Sequence, residues 1–200
     1  LSWWLDLIRV VGGGLLLGLF VGKVVVSNPF HLERIRPRYW LGAARRMKRR
    51  QWVRLLTIAL WVTAISLIVT DILTILFTQA GAPLVNPEEY PFTQVQQEYP
   101  WMVLIVANIL PIFEEWVFRG ILMDEIIRWK HSKALAVGLS SLLFAAFHLS
   151  NPGTYLSFVV TLIPASILLG LCYLKVGLGG SIVAHNAYNT FLVIVDAISR

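Results

Sequence analysis

Charge is scarce in this chain. Only 14% of its 200 residues are Asp, Glu, Lys or Arg, against about a quarter in ordinary soluble domains. Cysteine is scarcer still. Cys172 stands alone inside an apolar run, which excludes a disulfide within the chain and a thiolate metal site. No internal repeat is visible, which weighs against a transporter built from duplicated halves. The string His-Glu-x-x-His is missing, and with it the helix-borne zinc site it would make. Residues 79–100 contain neither Lys nor Arg; the charges there are Glu88, Glu89 and Glu98.

Apolar residues are what the chain has instead. They make up 57% of it, and the mean hydropathy is +0.70. They fall in runs at about 4–26, 53–78, 101–123, 134–149, 155–175 and 180–198. Each but the fourth has about the 20 residues that a helix needs to cross the hydrocarbon core. The expected fold is therefore all-α, a polytopic membrane helix bundle of about six transmembrane helices. We expect one membrane domain over 1–200, with two N-terminal helices and a basic loop in 1–100 and a four-helix core over 101–198. Residues 3–26 have no small-residue cleavage site and are long for a signal peptide, so they read as a retained span.

The net charge of +6 does not point to nucleic acid, because most of it is packed between Lys23 and Arg54, flanked by apolar spans. Arg45-Arg46-Met47-Lys48-Arg49-Arg50 marks a loop against the anionic face of a lipid bilayer. The turn 128–133 and Lys175 are basic on the same side, so both chain ends are expected outside and the basic turns in the cytoplasm of a multi-pass cell-membrane protein. His31 and His131 lie in these basic loops and are expected to be solvated. Arg38-Tyr39-Trp40 and Trp52 read as interfacial anchors.

Three ionisable groups nevertheless sit within six residues of an apolar span: Glu114-Glu115-Trp116-Val117-Phe118-Arg119. Each costs about 2.5–3.5 kcal/mol in the bilayer core on insertion scales. Glu115 and Arg119 are one helical turn apart on one face, acid before base, and can neutralise each other. Glu114 is turned about 100° away and has no such partner on its own helix. Two histidines join it on later apolar segments. Phe144 precedes His148 by one turn, as a packing wall. His185 and Asn189 are likewise one turn apart, so both project into one space.

Peptide hydrolysis needs an activated water and donors for a tetrahedral oxyanion. Glu114 suits a general base, a histidine can share the proton, and a histidine N–H with an Asn amide can hold the oxyanion. The same Glu114, His148 and His185 could instead hold Zn²⁺ with an open fourth position. A serine reading drawn from Gly138-Leu139-Ser140-Ser141 would leave Glu114 unused.

The three motifs, Glu-Glu-x-x-x-Arg at 114–119, Phe-x-x-x-His at 144–148 and His-x-x-x-Asn at 185–189, occur in that order on successive apolar helices. In this the chain resembles the CPBP (Abi) family of intramembrane proteases, which includes the type II CAAX prenyl endopeptidases. The resemblance covers about residues 101–198. It implies an all-helical membrane protease in which Glu114 and His148 activate the water and His185 and Asn189 line the oxyanion site. Glu115 and Arg119 would hold the helix. It also implies a membrane-associated peptide or protein substrate, prenylated in some members. Other members are linked to bacteriocin self-immunity, so a non-catalytic membrane protein of the same fold is the alternative. The family leaves glutamate and metal chemistry both open.

Regular full-length spans would set His148 and His185 at different depths. The site closes if the glycine turn 177–180 lies within the membrane, and this is the expected arrangement. The orientation makes its own prediction. In a Cys172→Ala background, a cysteine introduced near Arg46 should resist an impermeant thiol reagent in intact cells, and one near Glu89 should react. The opposite labelling would reverse the topology.

Overall fold

The structure, a computed structural model, describes residues 3–90, 93, 95 and 98–199. Its helices follow in chain order: α1 (Trp3–Ser27), α2 (Phe30–Glu33), α3 (Pro37–Arg46), α4 (Arg49–Gln79), α5 (Pro100–Glu115), α6 (Asp124–Lys130), α7 (Lys133–Phe147) and α8 (Leu156–Ser199). Trp116–Met123, between α5 and α6, is π-helical, and a 3₁₀ turn, His148–Ser150, follows α7. Among the described residues there is no strand. Local chemistry sets several of the boundaries. Pro37 and Pro100 open α3 and α5, where a missing N–H costs nothing. His131 stops α6 in a left-handed conformation. Ser132 Oγ then caps α7 by accepting from the Leu135 N–H at 3.2 Å.

Five segments are long and apolar enough to cross a membrane: Leu7–Ser27, Arg49–Gln79, Trp101–Lys130, Lys133–Ser150 and Leu156–Ile198. The chain is a multi-pass, all-helical membrane protein. The last segment holds two of the six expected spans, joined with no loop. Gly177 alone interrupts α8, with φ 76° and ψ −176°. A straight helix would separate Ser166 from His185 by about 28 Å. Both instead touch one ion pair, Ser166 through Arg119 and His185 through Glu115, so the chain doubles back at Gly177. Leu178, the next residue, packs on Trp116 and Ile121. The reversal therefore sits beside the π-helical segment.

Helix α4 lies along both halves of α8. Ala59, Val62, Leu169, Cys172 and Ala184 form one core, and Thr63 Oγ1 donates to the Ala184 carbonyl at 3.0 Å. Small residues at this seam let the backbones approach, as membrane helices require. Large apolar side chains such as Leu16 and Val26 point outward, toward the bilayer.

One expectation fails in the basic loop. His31 is 2% exposed, not solvated. The segment around α2 folds back on the bundle, and His31 Nε2 lies 3.1 Å from Glu125 Oε1. His131 is exposed, as expected.

The backbone at Gly177 is in a region that side chains with a Cβ rarely enter. Gly177→Ala should cost about 1–3 kcal/mol of stability, read as a lower melting temperature in detergent. Gly138→Ala, where an added Cβ meets nothing within 4 Å, should not. Equal melting of the two variants would contradict the strained reversal.

Candidate active site

The site begins with a defect in α5. Pro111 has no N–H and leaves the carbonyl of Ala107, four residues earlier, without its helical partner. In an apolar surrounding that group needs a donor. Asn189 Nδ2 supplies it at 3.3 Å, and Asn186 Nδ2 donates to the next carbonyl, Asn108, at 3.2 Å. The second half of α8 is thus pinned to the kink of α5. His185 lies one turn before Asn189 and comes to rest opposite the acidic pair.

Glu115 and Arg119 are both fully buried, with Nη1 and Oε1 3.1 Å apart. Arg119 Nη2 also donates to the carbonyl and the hydroxyl of Ser166, at 3.0 and 2.8 Å. Its guanidinium lies 4.5 Å from the centre of the Phe144 ring. The pair expected from the spacing is present, but it has a third member. His185 Nδ1 is 3.0 Å from Glu115 Oε1, so Nδ1 carries a proton and donates it to the carboxylate. The other ring nitrogen, Nε2, then faces Glu114 Oε2 at 3.7 Å. Glu114 is 24% exposed. Thus one carboxylate is sealed and neutralised, and its neighbour is open and faces an imidazole.

His148 starts the 3₁₀ turn after α7. Its Nδ1 donates to the Phe144 carbonyl at 3.0 Å, which leaves Nε2 as the acceptor of the neutral ring. Phe144 walls both histidines, with ring centres 4.9 Å from His148 and 5.7 Å from His185. His148 makes no direct hydrogen bond to Glu114, but the charges of Glu114 and His185 both act on it. One of the two Asn189 amide hydrogens is committed to the Ala107 carbonyl. No group of three or more His, Cys, Asp or Glu among the described residues is arranged to hold a metal ion.

Three features lay outside the sequence reading. The first is the π-helical turn immediately after the acidic pair, where a regular α-helix was expected. Wider turns of this kind favour functional sites, and they leave carbonyls open to outside donors. Ser140 Oγ takes that of Phe118 at 2.7 Å. The second is Asn186, whose pairing the Pro111 defect could have signalled. The third is Tyr90, for which no local signal exists. Its segment is tied to the stretch after His148 by Asn86 N donating to the Gly153 carbonyl at 2.7 Å and by Tyr155 N donating to Leu84 at 3.1 Å. Tyr90 packs on Phe158 with ring centres 6.3 Å apart, and Phe158 packs on His148 at the same separation. Burial, and after it the charge of Glu114, push the Tyr90 phenol up to about 12.

These features belong to a class of membrane protein with polar chemistry sealed among its helices. The family model described as type II CAAX prenyl endopeptidase Rce1-like matches residues 96–191. Over those residues the match supports a protease of the CPBP family, the resemblance that the three motifs carry. No curated protein and no solved structure matches the chain.

The unequal burial of the two acids makes a prediction. Glu115→Gln leaves Arg119 buried and unpaired and should lower stability by about 3–5 kcal/mol. Glu114→Gln, at a partly exposed group, should change the detergent melting temperature little. Equal losses would mean that the buried pair does not carry the helix.

Proposed function

We propose that this protein is an intramembrane endopeptidase of the CAAX prenyl protease type. It would act in the cell membrane on a membrane-associated peptide or protein, prenylated or not. The observation that carries the reading is the division within the acidic pair. Glu115 is held by Arg119 and His185, whereas Glu114 is partly exposed and faces His185 Nε2.

In this reading a water bound between Glu114 and His148 is the nucleophile. Glu114 takes its proton while His148 Nε2 orients it, and the hydroxide equivalent attacks the scissile carbonyl. The tetrahedral oxyanion is met by His185 Nε2–H and by the second amide hydrogen of Asn189, since its Nδ2 carries two. Collapse breaks the C–N bond, and Glu114 returns the proton to the leaving amine. His185 can donate through Nε2 only as the imidazolium, because Nδ1–H is committed to Glu115.

The test is proteolysis by purified protein in lipid, with prenylated and unprenylated peptides. Glu114→Gln should abolish cleavage while leaving the folded yield unchanged. His148→Ala should lower kcat by about 10²–10⁴-fold. Wild-type activity should survive a metal chelator. Full activity in Glu114→Gln would remove Glu114 from the chemistry. No cleavage by the parent protein of any peptide would favour a non-catalytic binding or self-immunity role.

A further inference from the structure

The segment between α1 and α3 lies outside the family match and reaches into the helix that carries the acidic pair. Arg34 is 6% exposed. Its Nη1 donates to the Gly120 carbonyl at 2.8 Å and to Asp124 Oδ2 at 2.6 Å. Its Nη2 donates to the Tyr173 hydroxyl at 2.9 Å, and that hydroxyl donates to Asp124 Oδ1 at 2.6 Å. One guanidinium thus joins α2's neighbour segment, the end of the π-helical turn, α6 and α8. A second tie runs beside it. Trp116 Nε1 donates to the His31 carbonyl at 2.8 Å, and His31 is itself held on Glu125. The two ties grip the π-helical segment at both ends, at Trp116 and at Gly120–Asp124.

A π-helical turn is a local register shift within a helix, one residue from the ordinary α-ladder. Relaxing it would rotate everything on one side of it against the other. Glu114 and Glu115 lie on one side of most of this turn, and Arg119 lies inside it. The register therefore decides whether the guanidinium of Arg119 still meets Glu115, and so where His185 points.

We propose that Arg34 is a positioning residue for the Glu114–His185 site: by holding the Gly120 carbonyl and Asp124 it keeps the π-helical register that aims the acidic pair. This rests on the proteolytic reading of the site above. Arg34 touches no reacting atom. It acts through the backbone of residues 116–124, and Tyr173 and Asp124 act through Arg34.

The experiment uses the full chain in lipid, with Arg34→Lys, Tyr173→Phe and, as a control outside the clamp, Arg46→Ala. Lysine keeps the charge but not the forked geometry; phenylalanine keeps the ring and loses one hydroxyl. Amide hydrogen exchange over 116–124 should rise about tenfold in both clamp variants relative to exchange in α4. In the same variants kcat should fall on the order of tenfold, with KM within about twofold of the parent. Arg46→Ala should change neither. Unchanged exchange in both clamp variants overturns the proposal. So does faster exchange with kcat intact, or a loss that appears only as a lower folded fraction. If Arg34→Lys does not fold, Tyr173→Phe decides alone. Glu114→Gln, assayed alongside, separates the two claims: if it stays active the proteolytic reading fails, whereas the exchange data judge the clamp independently.

Discussion

A carboxylate and a guanidinium sealed away from water hold this structure together. Neither Glu115 nor Arg119 could stand alone in an apolar bundle, because an uncompensated buried charge is strongly destabilising. Their mutual contact at 3.1 Å is only the start. Arg119 also binds the first half of α8 through Ser166 and lies on Phe144 of α7. Glu115 binds the second half of α8 through His185. One ion pair therefore gathers α5, α7 and both arms of the α8 hairpin. The orientation of His185 toward Glu114 follows from that assembly, because one ring nitrogen is already committed to Glu115.

The same logic runs through the rest of the bundle. Two departures of the backbone from a regular helix are met by side chains from elsewhere. Pro111 frees the Ala107 carbonyl, and Asn189 takes it. The π-helical turn presents the carbonyls of Phe118 and Gly120, and Ser140 and Arg34 take them. Without water in the hydrocarbon core such departures survive only where protein supplies the partner. The irregular backbone and the buried polar side chains thus require one another, and the catalytic reading draws on groups that packing has already made necessary.

Much of this was legible in the chain. The spacing of Glu115 and Arg119 foretold their pairing. The spacing of Phe144 and His148 foretold a wall beneath the histidine, and the isolation of Glu114 foretold an open carboxylate. These are relations within one helical turn, and helical periodicity settles them. What stayed hidden depends on contacts between distant segments. Nothing around His31 or Arg34 distinguishes a solvated basic loop from one folded into the core, and His31 was misread for that reason. The glycines at 177–180 marked a turn, but not that one residue at φ 76° would reverse the chain. Tyr90 carries no motif, and only the tie between its segment and Gly153 brings it near His148. The π-helical register has no periodic signature in a stretch that is apolar on every side.

In the proposed mechanism the Glu115–Arg119 pair orients His185 as well as holding the fold. Replacing both residues at once by Leu and Met separates these roles. Apolar substitution of a whole buried pair is often neutral or stabilising, unlike removal of one partner. Glu115→Leu with Arg119→Met should fold and melt near the parent temperature. Its kcat should nevertheless drop on the order of 10²–10⁴-fold, as when a histidine loses its orienting carboxylate. A double variant that folds and cleaves at the parent rate would mean that the pair does not orient His185 for the chemistry.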